Sequence, residues 1–159
     1  MTSAVIAIAS DHAGFPLKSE IAAHLRDKGY EVLDLGTDGP QSVDYPDFAF
    51  AMAQALADGR AGRGVLICGT GLGISIAANR YPWVRAALCH DVTTARLSRD
   101  HNDANVIALG GRLVGIELAR ECVDAFLGTE FGGDRHARRV AKLTNPPEIP
   151  ADAPVTTGG

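Results

Sequence analysis

The chain reads as an α/β protein, a three-layer α/β/α sandwich built on one five-stranded parallel sheet. Three observations carry this. Short apolar runs alternate with longer segments of helical character, which is the pattern of βα units. The runs, Val5 to Ala9 and Val65 to Ile67 among them, are continuously apolar, as strands buried on both faces are. Polar residues follow four of the five runs, at the carboxyl ends where ligands of such folds collect.

Val5 to Ala9 is the first strand, ending in Ser10-Asp11-His12-Ala13-Gly14. Pro16 suits the first turn of a helix whose core face carries Leu17, Ile21 and Leu25. Gly29 stops that helix, and Glu31 to Leu35 is the second strand. Gly36 to Tyr45 is a polar loop. Pro46 opens a second helix with Phe50, Ala51 and Ala55 among its apolar positions. The Val65 run is the third strand and leads into a helix through Asn79. Arg85 to Cys89 is a fourth strand, and the helix from Asp91 ends near His101 and Asn102. Val106 to Leu109 is the fifth strand. Helices follow over Ile116 to Leu127 and Arg135 to Leu143.

At 159 residues and 46% hydrophobic, the chain supports one domain with a proper core, expected over residues 1–144. Residues 145–159 read as an unstructured tail, with Pro146, Pro147, Pro150 and Pro154 before a final Thr-Thr-Gly-Gly. A net charge of -4 gives no electrostatic case for nucleic acid. No apolar run approaches the roughly 20 residues that span a bilayer. Met1 to Ser10 lacks the basic start and long apolar core of a signal peptide. Cys68, Cys89 and Cys122 are odd in number and lack metal spacing, so free thiols in the cytoplasm are expected.

The stretch richest in chemistry runs from Arg63 to Asn79. A strand ends at Cys68; Gly69, Gly71 and Gly73 follow at alternate positions; a helix begins at Ile74. Such a turn presents unpaired backbone N–H groups to an anion. A thiol beside them is favoured as thiolate, hence as base or nucleophile. Cys89 and Cys122, in an apolar strand and an apolar helix, read as inert buried thiols. The glycines are weak evidence for a dinucleotide. Asp91 lies about 20 residues beyond Gly71, where a ribose-binding acid would sit, but Ile74 replaces the third glycine. No Gly-Lys-Ser/Thr and no phosphatase arginine are present; the latter position is again Ile74.

Arg135 and Arg139, four apart, share a helix face and suit a phosphate, with a solvated basic face as the plain alternative. Arg138 and His136 lie off that face. His101 is either a charge partner for its helix end or an acid–base group near neutral pH. Asp11 and His12 are either a helix cap with an exposed histidine or holders of sugar hydroxyls and phosphate. His24 reads as structural and His90 stays open. A metal site from Asp11, His12, His90, Asp91 and His101 has no recognisable ligand spacing, and none is expected.

Together, Ser10-Asp11-His12-Ala13-Gly14-Phe15, Asp44-Tyr45-Pro46, Ile67 through Ser75, Ser98 through Val106 and Arg135 through Arg139 resemble the type B ribose-5-phosphate isomerases. That group also holds allose- and galactose-6-phosphate isomerases. The resemblance runs from Val5 to about Leu143, with the motifs in order. It implies strand order 2-1-3-5-4 and a cofactor-free aldose–ketose isomerase working through a cis-enediolate. By position, Cys68 would be the base and His101 the ring-opening acid, helped by Thr70. The amides of Gly69 to Gly73 would hold the enediolate, and Asp11, His12, Tyr45, Asn102, Arg112, Arg135 and Arg139 the hydroxyls and phosphate. No acid occurs between Gly69 and Asn79, which implies the cysteine branch rather than the glutamate branch. The group is dimeric or tetrameric, with sites completed across the dimer interface. The substrate expected is ribose 5-phosphate, with a tetrose phosphate, a 6-phosphohexose or simple phosphosugar binding as alternatives.

Overall fold

The computed structural model describes residues 3–150. Five strands form one parallel sheet in the order β2-β1-β3-β5-β4. They are β1 (Val5–Ser10), β2 (Glu31–Asp34), β3 (Arg63–Cys68), β4 (Ala86–Leu88) and β5 (Val106–Gly110). The central three are buried almost throughout, which is why their sequence is continuously apolar. Ser10 stands beside Ile67, and Cys68 beside Gly110. The C-terminal ends of β1, β3 and β5 therefore lie level, one strand spacing of about 4.8 Å apart.

Helices cover both faces, and each face has its own core. Ile6, Ile8, Val65, Ile67, Ile107 and Leu109 turn one way; Ala7, Ala9, Leu66, Cys68 and Ala108 turn the other. Helices α1 (Phe15–Asp27), α4 (Val92–Asp100) and α5 (Ile116–Gly128) pack on the first face, with Ile21, Ala95 and Phe126 fully buried. Helices α2 (Tyr45–Ala57) and α3 (Leu72–Ala78) pack on the second through Ala49, Met52, Ile74 and Ala78. Fully burying one such large side chain is worth about 1.5–3 kcal/mol.

Three details depart from the sequence reading. In α2 the buried stripe is Ala49, Met52, Ala53 and Ala55, while Phe50 is 43% exposed. Phe50 instead sets its ring edge against Tyr81, outside the core. The last helix is two elements, a 3-10 turn at Asp134–His136 and then α6 (Ala137–Thr144). Gly133 and Asp134 both have positive φ, which keeps a helix from beginning before Arg135. Strand β4 is three residues, shorter than expected. Residues 145–150 are exposed and outside any helix or strand; the rest of the expected tail lies outside the described residues.

Candidate active site

The upper edge of the sheet, where β1, β3 and β5 end, gathers most of the expected site. Cys68 closes β3, and its side chain is 4% exposed. The Gly71 N–H donates to its Sγ at 3.2 Å. Gly71 has φ 78°, and a Cβ there would stand 2.9 Å from the Leu109 backbone carbon. Only glycine lets the loop turn back over β5 and aim that amide at sulfur. The Leu72 N–H is already held by Thr70 Oγ1 at 3.2 Å. Further on, the first turn of α3 leaves N–H groups without helical partners.

Around the loop, Asp11 follows β1 and is 6% exposed. Its N–H donates to Ile67 O at 3.3 Å, and its carboxylate takes the Gly14 N–H at 3.0 Å. It does cap the turn before α1, and it still lies beside the end of β3. His12 accepts the Val43 N–H on Nδ1 at 3.2 Å. Arg112 follows β5; its N–H donates to Gly69 O at 3.0 Å. A Cβ on Gly69 would lie 3.3 Å from its guanidinium. Tyr45 packs so closely on Gly73 that a Cβ there would strike the ring at 2.6 Å. Asp11, His12, Tyr45, Cys68, Gly69, Thr70, Gly71, Gly73 and Arg112 thus form one cluster.

The remaining candidates are elsewhere. Helix α4 runs back down the sheet, so His101 at its C-terminus lies near the start of β5. Four residue steps separate Val106 from Gly110, the neighbour of Cys68, about 13 Å of strand. Asn102 lines a cavity of about 480 Å³ at this lower edge with Arg80, Tyr81, Arg85 and Leu143. The His136 ring stacks on His101, centroids 4.4 Å apart and planes within 16°. Desolvation, with Arg135, His101 and Arg139 nearby, holds the His136 imidazole below its usual range. The chain between α5 and α6 enables the stack, because the Gly132 N–H donates to Asp100 O at 2.9 Å. His101, Asn102, Arg135, His136 and Arg139 are a second cluster at the opposite edge.

The phosphate pair needs a correction. Arg135 sits in the 3-10 turn and Arg139 in α6, so one regular α-helix does not carry both. His136, read from the sequence as off their face, has both arginines nearby and stacks on His101. Asp91 caps α4 by accepting the Thr94 N–H at 2.7 Å, so its carboxylate already serves the chain. His24 bonds Asp124 at 2.7 Å, a structural role. Burial pushes the Cys89 thiol up and the Cys122 thiol up to about 11, and both stay protonated at neutral pH. Among the described residues no three His, Cys, Asp or Glu side chains converge as metal ligands. None of the described helices is long and apolar enough to cross a membrane.

One buried group escaped the sequence reading. Lys18 is 2% exposed, with Nζ 2.6 Å from Asp34 Oδ1. Its signal was present: Lys18 stands three residues before Ile21 and seven before Leu25, on the stripe that faces the core.

A family model described as Ribose/Galactose Isomerase matches residues 6–143. The ribose-5-phosphate isomerase B of Escherichia coli is 52% identical over 139 residues, 87% of this chain and 93% of its own length. A D-erythrulose-4-phosphate isomerase of Pectobacterium atrosepticum is 45% identical over 87% of this chain and 91% of its own. A ribose 5-phosphate isomerase crystal structure from Thermotoga maritima superposes with TM-score 0.88 at 53% identity, covering 90% of this chain and 99% of that one.

Proposed function

This chain belongs to the ribose/galactose isomerase family, and from that premise we propose that it interconverts ribose 5-phosphate and ribulose 5-phosphate. The observation that carries the reading is the 3.2 Å approach of the Gly71 amide to Cys68 Sγ on an open glycine turn. The thiolate takes the C2 proton of the open-chain aldose. The electron pair moves into the C1–C2 bond, and the carbonyl oxygen becomes an oxyanion. Transfer of the O2 proton to O1, with return of the carried proton from sulfur to C1, yields the ketose and restores the thiolate. Amides of the Gly69–Gly73 turn stabilise the cis-enediolate. Each such donor contributes roughly 3–4 kcal/mol in comparable oxyanion holes. His101 opens the furanose ring, assisted by Thr70. Asp11, His12, Tyr45, Asn102 and Arg112 hold hydroxyls, and Arg135 and Arg139 grip the phosphate away from the reacting carbons. No cofactor takes part.

The two clusters lie at opposite edges of one sheet, so one chain does not assemble this constellation. A homodimer does. A two-fold axis across the α2/α3 layer turns the partner's lower edge onto this chain's upper edge, and each interface residue is used twice. Support comes from Leu72 and Ile76, four apart on α3 at the mouth of the turn, which are 53% and 65% exposed. Phe50 extends this apolar surface on α2. The catalytic domain is residues 1–144, and three free thiols fit the reducing cytoplasm.

A second reading keeps the chemistry and changes the sugar, since a relative at 45% identity is named for a tetrose phosphate. The deciding assay compares ribose 5-phosphate, erythrulose 4-phosphate and allose 6-phosphate at equal concentration. The expected result is a clear preference for ribose 5-phosphate, lost in Cys68→Ala while ligand binding remains. Preference for another sugar moves the substrate; turnover of none returns the protein to phosphosugar binding.

A further inference from the structure

A lysine ammonium as buried as that of Lys18 is costly to hold unless its partner is well placed. The partner, Asp34, ends β2, and its Oδ1 also accepts the Gly36 N–H at 2.9 Å. Gly36 begins the 36–44 loop. Its carbonyl takes the Ser10 N–H at 2.7 Å, and the Thr37 N–H donates to Ser10 O at 2.8 Å. At its far end the Val43 N–H donates to His12 Nδ1. A backbone N–H can only donate, so Nδ1 carries no proton and Nε2 does. Lys18 itself stands on α1, six residues after His12, with its N–H on Gly14 O at 2.8 Å. One ion pair therefore ties the helix behind His12 to the root of the loop that sets its tautomer.

We propose that Lys18 is a positioning residue: through Asp34 it fixes the 36–44 loop, whose Val43 amide holds His12 in the tautomer with Nδ1 bare and Nε2 carrying the proton. The kinetic arm below rests on the isomerase reading; the spectroscopic arm does not. Nitrogen NMR of the intact, histidine-labelled protein reads the tautomer directly, with His12→Ala identifying the His12 signals. The native protein should show one bare Nδ1 and one protonated Nε2. Lys18→Met should blur these into exchanging forms and lower kcat/KM about tenfold, the scale of a small misplacement. In a His12→Ala background the same substitution should cost nothing more, because Lys18 acts through His12. Val43→Pro removes the amide without touching the Lys18–Asp34 pair, and should give the same NMR change if Lys18→Met fails to fold. A folded Lys18→Met or Val43→Pro protein with an unchanged His12 tautomer overturns the proposal, as does an equal Lys18→Met loss in both backgrounds. Absence of turnover in the native protein would overturn the isomerase reading and leave the NMR result standing.

Discussion

Equal amounts of Cys68→Ala and His101→Ala chains, mixed and allowed to exchange subunits, should recover about a quarter of native isomerase activity. The figure follows from where the two side chains stand. Cys68 ends β3 at one edge of the sheet, and His101 ends α4 beyond the start of β5. About 13 Å of strand lies between those levels, far beyond the reach of one small substrate's reacting atoms. In a two-fold dimer each site draws its thiol from one chain and its imidazole from the other. Random exchange makes half the dimers mixed, and each mixed dimer carries one intact site and one doubly defective site; one half of one half is a quarter. The assay is ribulose 5-phosphate formation by the separate variants, by the mixture over time, and by the native protein. Both variants alone should be nearly inactive. A mixture that stays at their baseline, with subunit exchange verified by mass, refutes the shared site. Substantial activity in His101→Ala alone refutes the role given to His101.

Three further outcomes are expected. Iodoacetamide at neutral pH should modify Cys68 first and a phosphosugar should protect it, because burial keeps Cys89 and Cys122 protonated, the latter with its pKa pushed up to about 11; peptide mass spectrometry showing Cys122 modified first contradicts this. Arg139→Ala should raise KM sharply while kcat changes less, and steady-state kinetics with an unchanged KM would place α6 away from the phosphate. Gly71→Ala should destabilise by about 2–4 kcal/mol, from positive φ and from contact with the Leu109 backbone. For a chain of this size that is a Tm lowered by roughly 5–15 °C in a thermal melt, and an unchanged Tm would mean the loop relaxes freely.

Much of the architecture was legible because it rests on local pattern. Continuous apolar runs such as Val65-Leu66-Ile67 mark strands covered on both faces. Pro46 and Gly29 mark a helix start and stop, and Cys68 through Gly73 mark an anion-binding turn. Those signals are carried by neighbours in the chain. Polar residues at strand ends likewise pointed to Asp11, His12 and Arg112 together, since parallel order places those ends level. The tertiary structure alone decided which distant groups meet. His101 is as conspicuous in the sequence as Cys68, yet α4 must run down the sheet before β5 can start parallel to β3, and that return puts the two at opposite edges. The His136 stack depends on the segment before α6 lying against the end of α4, where the Gly132 N–H meets Asp100 O, and the Lys18–Asp34 pair on two elements folding against each other. Sequence spacing records which face a residue takes within its own helix or strand; the contacts between elements arise only when the sheet brings them together.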